Sequence, residues 1–421
     1  KCTATRQPAR ARPSEISRPK RLPAPVTRAV RGVEEKEADI RGQSRAMTEA
    51  HSLTTAMLVR VHKAILAAQG WLPFDQFMAL ALYEPGLGYY ANQQPKFGTM
   101  PQSGSDFVTA PELSPLFGAA LAQQVAEALK ATGTDEVWEF GAGSGALAHQ
   151  LLSELQRLGC EIKRYNIMDL SSTLKARQHL LLAAFGDQVK WLSEWPESMQ
   201  GVVLGNEVLD AMPVKLLHRI KGQWHERGVV LAAPSNHSDG LAWEDRPTDL
   251  RPPLEPQGEH DYLTEIQPQG EAFVTSLAER MLASEKGGAA FFLDYGFPEA
   301  EFFHPERHMG TLMCHQAHKV DVNPLEAVGL KDITAHVNFT GMALAGQDAG
   351  LQVLGYTSQG RFLLNLGLAE RMAQSGLAER AQAMKLINEH EMGELFKVVG
   401  FATHDHWQAQ GFVVGDRSHK L

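Results

Sequence analysis

A short buried strand that runs into three closely spaced glycines is the feature that most constrains this chain. Residues Glu136–Phe140 are typical of a strand, and residues Ala146–Leu158 are typical of a helix. The glycines between them are Gly141, Gly143 and Gly145. Glycines let the backbone turn sharply and approach a ligand without Cβ clashes. Because backbone amides point out of the start of a helix, the turn is predicted to bind a ligand with an anionic group.

Strand and helix patterns alternate through the rest of the chain. Continuous apolar runs separated by helices indicate a parallel sheet covered on both faces. The fold class is therefore predicted to be α/β, with a Rossmann-like, doubly wound sheet. The further predicted strands are Tyr165–Met168, Gln188–Trp191, Gly201–Leu204, Ala289–Leu293, Leu351–Gly355 and Phe396–Phe401.

The first 46 residues differ in composition from the rest of the chain. Residues 1–46 are rich in Arg, Pro, Ala and Ser, and their basic residues outnumber the acidic ones more than two to one. We interpret them as a disordered basic arm or a non-native extension, with Met47 as the expected start. An organellar transit peptide is the rival interpretation, because residues 1–32 contain a single acid, Glu15.

The remaining chain divides into two predicted parts. Residues 47–130 are expected to form an N-terminal helical segment that covers the site, with a loop at 95–112. Residues 131–421 are expected to form the Rossmann-like core. Insertions around 233–258 and 299–345 interrupt this core, and the first of them is polar and proline-rich, which is typical of a loop.

Composition excludes several classes of protein. The whole chain has a net charge of −9, and because residues 1–46 are basic, the negative charge lies on the body of the chain. An acidic body disfavours nucleic acid as a partner and tolerates a cationic substrate. No apolar run approaches the roughly 18 residues of a membrane span. The three cysteines, Cys2, Cys160 and Cys314, have no metal-binding spacing, so no metal is predicted. Sparse cysteines favour a reducing compartment, which we take as the cytoplasm, with the mitochondrial matrix as the alternative.

The glycine-rich turn alone allows two nucleotide cofactors. Gly141, Gly143 and Ala146 also match a relaxed dinucleotide pattern, and Asp169 at the end of the next strand could bind the ribose of NAD or of S-adenosylmethionine (SAM). Glu139 lies two residues before Gly141, where a dinucleotide site usually has an apolar residue. Because SAM carries an ammonium and a sulfonium, this acid favours SAM over NAD.

A second acidic segment follows the strand Gly201–Leu204. Asn206, Glu207 and Asp210 would lie beyond the carboxyl end of that strand, where ligands bind in open parallel sheets. Glu207 and Asp210 are three residues apart, so one helical turn is predicted to present both carboxylates on one side. Asp294 ends a later strand in the same manner and is expected to line the pocket or to cap a turn.

Taken together, the ordered motifs resemble the MidA-type methyltransferases, a family related to the mitochondrial arginine methyltransferase that assists complex I assembly. The resemblance spans roughly residues 53–400. The segments that carry it are Leu82–Tyr90, Ser105–Ser114, Glu139–Gly145, Gly205–Pro213, Leu293–Gly296, Gly310–Leu312, Asp332–Phe339 and Gly355–Gln359.

The resemblance implies a class I SAM-methyltransferase fold with a mostly parallel seven-stranded sheet and added elements over the substrate cleft. It also implies the roles of individual residues. The catalytic candidates are Glu207, Asp210 and Glu112. The expected SAM-binding residues are Thr109, Pro111, Glu139, Gly141, Ala142, Gly143, Gly145, Asp169, Leu170 and Asn206.

The predicted activity is in-line methyl transfer from SAM to an arginine of a protein substrate. Paired carboxylates suit a planar, permanently charged guanidinium. The expected partner is that substrate protein, with no nucleic acid, and a homodimer is allowed. Two alternatives stay open, namely a non-catalytic Rossmann-like assembly factor and an NAD-dependent oxidoreductase.

The chain departs from the family pattern after Leu312. Relatives often carry aromatic and arginine residues there, where this chain has Met313, Gln316 and Ala317.

Overall fold

The structure is a computed structural model that describes residues 51–92, 108–169, 172–232, 239–316, 319–404 and 407–421. Residues from Ser52 onward form one compact unit. The basic arm predicted for residues 1–46 lies outside the described ranges. Among the described residues, no helix is both long enough and apolar enough to cross a membrane.

The described strands are numbered in chain order. They are β1 (Leu72–Pro73), β2 (Glu136–Phe140), β3 (Arg164–Met168), β4 (Val189–Leu192), β5 (Gly201–Asn206), β6 (Lys215–Ile220), β7 (Gln223–Leu231), β8 (Leu241–Pro247), β9 (Tyr262–Ile266), β10 (Gly288–Phe297), β11 (Met313–Gln316), β12 (Lys319–Asp321), β13 (Asp332–Thr334), β14 (Val337–Asn338), β15 (Gln352–Ser358) and β16 (Phe396–Ala402).

Helices are numbered in the same way. They are α1 (residues 51–67 of the described ranges), α2 (Phe74–Tyr83), α3 (Ala110–Leu113), α4 (Pro115–Thr132), α5 (Ala146–Arg157), α6 (Ser172–Leu181), α7 (Pro268–Leu282), α8 (Glu299–Phe302), α9 (Phe339–Asp348), α10 (Gln359–Asn365), α11 (Leu368–Gln374) and α12 (Leu377–Ile387).

The central sheet has the strand order β15-β16-β10-β5-β2-β3-β4, with β14 added beside the end of β10. Neighbours from β10 to β4 pair in parallel, and β16 is antiparallel to both of its neighbours. All five residues of β2 are buried, as are the first five of β5, which explains their continuous apolar runs. The predicted mostly parallel, doubly wound sheet is confirmed.

Helices cover the central sheet on both faces. One apolar cluster joins α4, α5 and α10–α12 to one face, through residues such as Phe117, Leu151 and Phe362. A separate cluster joins α7 and α9 to the opposite face, through residues such as Val274 and Phe339. The sheet is therefore the middle layer of three, and its strand ends are left open for a ligand.

A second, antiparallel sheet was missed by the sequence analysis. It has the order β1-β7-β6-β9, with β8 paired to β7. The predicted loop at 233–258 contains the strand β8, so that prediction of a loop is wrong for Leu241–Pro247. The strands β7 and β8 are rich in charged residues and only partly buried, so their apolar pattern is weak. A third cluster of apolar residues packs α1 and α2 against this sheet.

The segment 299–345 also contains regular structure. It includes α8, most of α9 and a small sheet with the order β12-β11-β13. The strand β14 pairs in parallel with the end of β10 and brings the segment back to the central sheet. Side chains from this segment therefore reach the same edge of the sheet as the glycine-rich turn.

Candidate functional site

A cavity of about 870 Å³ lies at the carboxyl ends of the central parallel strands. The ends of β2, β3, β5 and β10 all contribute side chains to it. Ten of the residues predicted for the site line it: Thr109, Pro111, Glu139, Gly141, Ala142, Gly143, Asp169, Asn206, Glu207 and Asp210. The topology therefore brings together two segments that the sequence analysis treated separately, the glycine-rich turn and the acidic segment after β5.

The glycine-rich turn has the backbone shape that its glycines allow. The φ angles of Gly141, Gly143 and Gly145 are 65°, 54° and 85°, all in the left-handed region. A Cβ on Gly141 would also lie 3.0 Å from Cγ2 of Val208. Any other residue type would therefore be strained at these positions. Gly141 and Gly143 line the cavity.

Glu139 is a buried acid at the end of β2, directly before this turn. Its Oε2 accepts a hydrogen bond of 2.7 Å from the Tyr165 hydroxyl. Burial raises the pKa of Glu139 to about 8, and the nearby charge of Asp169 adds to the increase. A bound cation would stabilise the ionised carboxylate and lower this pKa, so Glu139 suits the ammonium end of SAM.

Asp169 is tied to the turn by a residue that the sequence analysis missed, Gln178 of α6. The buried Gln178 Nε2 donates to Asp169 Oδ2 and to the carbonyl oxygen of Gly143, both at 2.9 Å. Its Oε1 accepts from Trp191 Nε1 at 2.9 Å. No local motif marked Gln178, because its three partners are distant in sequence.

The short helix α3 carries the predicted cover residues. Thr109 and Pro111 line the cavity, and Gln150 Nε2 donates to the carbonyl oxygen of Pro111 at 2.7 Å. The predicted loop at 95–112 therefore ends in a helix, and residues 95–107 lie outside the described ranges. Glu112 and Gly145 are not lining residues, and Leu170 is not among the described residues.

The acidic segment after β5 forms a tight turn, so the expectation of one helical turn is wrong. Glu207 has a left-handed φ of 54°. Asp294 at the end of β10 caps this turn, because its Oδ2 accepts backbone N–H groups from Val208, Leu209 and Asp210 at 3.2, 2.9 and 3.2 Å. Hydrogen bonds to an ionised carboxylate are stronger than neutral ones, so these three bonds hold the turn in place.

The two acids of this turn share a buried environment. Burial raises the pKa of Glu207 to about 8, and Asp210 raises it further, whereas a hydrogen bond from Asn206 lowers it. Burial also raises the pKa of Asp210 to about 6, opposed by a hydrogen bond with Tyr295. The Glu207 carboxylate accepts from Asn206 Nδ2 at 3.0 Å and from the backbone N–H of Ala110.

Two acceptor atoms of this turn are buried without a partner among the residues that the structure describes. They are Asn206 Oδ1 and Asp210 Oδ1. Leaving a buried polar atom unpaired costs about 1–3 kcal/mol. Because both residues line the cavity, a ligand rich in hydrogen-bond donors would recover that free energy.

The far wall of the cavity is aromatic and was not predicted as part of the site. Tyr83 and Tyr90 stack with ring centroids 5.6 Å apart. The Tyr83 hydroxyl donates to the carbonyl oxygen of Ala211 at 2.7 Å, and the Tyr90 hydroxyl donates to Asp332 Oδ1 at 2.8 Å. Both tyrosines lie in the motif Leu82–Tyr90, so that motif was the available signal.

The donor set fits SAM and offers no metal site. Left-handed glycines leave room for the amino-acid end, and the buried Glu139 would pair with a cation. Asp169, the predicted ribose acceptor, lines the same cavity. Across the described ranges, no group of three histidines, cysteines or acids is arranged to hold a metal ion.

Comparison with known families and proteins agrees with this geometry. The family profile described as "Putative S-adenosyl-L-methionine-dependent methyltransferase" matches residues 120–357. A crystal structure of a Burkholderia thailandensis protein bound to S-adenosyl-homocysteine is 43% identical, with a TM-score of 0.82, over 89% of this chain and 98% of that one. A native crystal structure of a protein from the same organism is 42% identical, with a TM-score of 0.78 and the same coverage.

Curated relatives are more distant. The chain is 27% identical to "Protein arginine methyltransferase NDUFAF7, mitochondrial" of Danio rerio, over 82% of this chain and 86% of that protein. It is 26% identical to the Homo sapiens protein of the same name, over 82% of this chain and 83% of that protein.

Proposed function

The chain belongs to this family of S-adenosyl-L-methionine-dependent methyltransferases, and from that premise we propose that it methylates an arginine side chain of a protein. The observation that carries the proposal is the unpaired, buried Oδ1 of Asp210, which lies in the cavity together with Glu207. Burial raises the pKa values of both acids, so a bound cation would favour their ionised forms. A guanidinium, with five N–H donors in one plane, supplies both the charge and the donors.

In the proposed mechanism, the chain's own residues bind and orient the acceptor. Bound SAM supplies an activated methyl group on a sulfonium. Glu207 and Asp210 hold the guanidinium by charge-assisted hydrogen bonds and direct one nitrogen toward the glycine-rich turn. Asp294 keeps both acids in register through the backbone of their turn.

The proton released by the reacting nitrogen goes to a carboxylate oxygen of Glu207. A base is most effective when its pKa is near the working pH, and burial raises the pKa of Glu207 to about 8. Tyr83, Tyr90 and Pro111 of α3 line the same cavity. For Glu112 we propose the catalytic role, and for Leu170 the SAM-binding role, that the family resemblance implies.

Relatives support arginine as the acceptor, since the curated proteins at 25–27% identity are named protein arginine methyltransferases. Their names also include the word mitochondrial, which favours the matrix alternative over the cytoplasm. The solved relatives at 42–43% identity come from a bacterium. The compartment and the homodimer therefore stay predictions.

Labelled SAM incubated with the full chain and a cell lysate tests the proposal. We expect label on a discrete protein, and peptide mapping should place it on an arginine. The Glu207→Gln variant serves as the inactive control. Label on another residue type would replace the acceptor, and no transfer at all would favour the assembly-factor alternative.

A further inference from the structure

His336 is a cavity-lining residue to which the proposed function gives no role. It lies between β13 and β14, within the motif Asp332–Phe339. Its ring packs edge-on against Tyr295, with centroids 5.1 Å apart and an interplanar angle of 86°. It also packs at 5.3 Å against Phe297. Because Tyr295 bonds to Asp210, His336 borders the acidic end of the cavity.

Hydrogen bonds on both sides fix the backbone of His336. Its N–H donates to Thr311 Oγ1 at 3.1 Å, and its carbonyl oxygen accepts from Gln267 Nε2 at 2.9 Å. The Thr311 hydroxyl in turn donates to the buried Glu265 Oε2 at 3.1 Å. The backbone N–H of Asn338 donates to Gln267 Oε1 at 2.7 Å. This network fixes the backbone of His336, and the rings of Tyr295 and Phe297 pack against its imidazole, so the side chain is supported as a recognition group requires.

The imidazole of His336 has an unsatisfied nitrogen. Within the ranges that the structure describes, the buried Nδ1 has no hydrogen-bond partner. Burial and the positive charges of Arg307 and Lys397 lower the pKa of His336 to about 4, opposed by a hydrogen bond between the imidazole and the backbone of Thr311. The ring is therefore neutral near pH 7, and with its proton on Nε2 it presents Nδ1 as an acceptor.

We propose that His336 is a specificity-determining residue whose Nδ1 accepts one N–H of the substrate guanidinium, beside Glu207 and Asp210. This inference rests on the proposed function and deepens it. A guanidinium spreads five donors over a plane, whereas an ammonium concentrates three on one atom. Acceptors at three separate positions therefore match arginine better than lysine, and an unpaired acceptor penalises the ligand that cannot reach it.

Calorimetry on the full chain with S-adenosyl-homocysteine present tests this inference. The probes are the blocked peptide Gly-Gly-Arg-Gly-Gly and its lysine counterpart. We expect the wild-type chain to prefer the arginine peptide. His336→Phe keeps a ring against Tyr295 and Phe297 but removes the acceptor. It should lose about ten- to a hundredfold in arginine-peptide affinity and little in lysine-peptide affinity.

Two further variants separate recognition from packing. His336→Gln restores an acceptor and should recover most of the arginine preference. Phe297→Leu loosens the ring packing without removing the acceptor and should keep that preference. Unchanged affinity for S-adenosyl-homocysteine and an unchanged melting temperature show that each variant folds, and His336→Leu replaces His336→Phe if the latter does not.

The outcomes distinguish this inference from the proposed function. A wild-type arginine preference that persists in His336→Phe overturns the role of His336 and leaves the function standing. Equal losses for both peptides also overturn it, because they indicate packing alone. A wild-type chain without any arginine preference overturns the proposed function and this inference with it.

Discussion

The two ends of the cavity differ in how their polar groups are satisfied. At the glycine-rich turn, Glu139 accepts from Tyr165, and Asp169 accepts from Gln178. At the acidic end, Asp210 Oδ1 and His336 Nδ1 are buried without partners among the described residues. The first end is preformed for its ligand, whereas the second end is completed only by its ligand.

The unpaired acceptors at the acidic end lower the stability of the ligand-free protein. Each unpaired buried acceptor costs about 1–3 kcal/mol, a notable share of the 5–15 kcal/mol that stabilises a typical domain. The fold carries this cost at the end where the acceptor substrate would bind. Variants at the two ends should therefore separate into those that change transfer and those that change cofactor affinity.

Glu207→Gln should give the largest effect, on the acidic end. The amide keeps the size of Glu207 at its left-handed φ but cannot pair with a cation or take its proton. We expect transfer of label from SAM to fall by more than about a hundredfold. Affinity for S-adenosyl-homocysteine should change by less than about threefold.

The exposed acid Glu285 provides the matched control, because Glu285→Gln removes the same charge outside the cavity and should retain wild-type transfer. Equal activity of Glu207→Gln and wild type would remove Glu207 from the mechanism.

Asp169→Ala should give the next largest effect, now at the preformed end. It removes the predicted ribose acceptor and leaves Gln178 Nε2 without one of its two partners. We expect calorimetry to show about ten- to a hundredfold weaker binding of SAM. Asp187→Ala, at an exposed aspartate, is the control. Wild-type affinity in Asp169→Ala would contradict the predicted contact.

Gln178→Leu should have a smaller effect at the same end. It breaks the hydrogen bonds to Asp169, to Gly143 and from Trp191, so both the turn and the carboxylate lose their positions. We expect about tenfold weaker binding of SAM and a loss of about 1–3 kcal/mol in the free energy of unfolding.

Gln188→Leu is the matched control for this change, since it loses a single hydrogen bond to the carbonyl oxygen of Ile162. It should reduce stability without reducing SAM affinity. If both variants bind SAM equally, Gln178 has no positioning role.

The smallest expected effect is a pH dependence that arises from Glu139. Burial raises its pKa from 4.5 to about 8, so the unfolded chain ionises first and the stability of the ligand-free protein falls as pH rises through this window. Below pH 4.5 both states are protonated and the contribution is fully present. In Glu139→Gln, the fall in melting temperature between pH 5 and pH 8 should therefore be smaller than in the wild type by a few degrees.

Scanning calorimetry of both chains at matched pH values measures this difference. Parallel curves for wild type and Glu139→Gln would show that Glu139 titrates normally. Added SAM should reduce the contrast, because it binds the ionised form of Glu139 and so stabilises the wild type most at higher pH, where the ligand-free protein is least stable.

The central sheet and the cofactor could be predicted because their signals are local. Fully buried strands such as β2 give continuous apolar runs, and the glycines after it mark the turn directly. Family membership confirms the resemblance and the SAM prediction that these segments carried. The second sheet could not be predicted, since strands such as β7 are only partly buried and charged.

The acidic end illustrates what sequence spacing does not determine. Glu207 and Asp210 were identified, yet their geometry depends on Asp294, which is distant in sequence and accepts the N–H groups of their turn. Gln178 and His336 were not identified, because their roles depend on partners brought together only by the fold. Long-range hydrogen bonds, more than residue types, set this part of the site.

The cap formed by Asp294 also determines how the enzyme loses activity on heating. Its carboxylate belongs to β10, the strand held between β5 and β16 in the middle of the sheet. The turn with Glu207 cannot loosen while that strand stays paired. Loss of activity on heating should therefore coincide with unfolding of the central sheet, and no folded but inactive form should accumulate at lower temperatures.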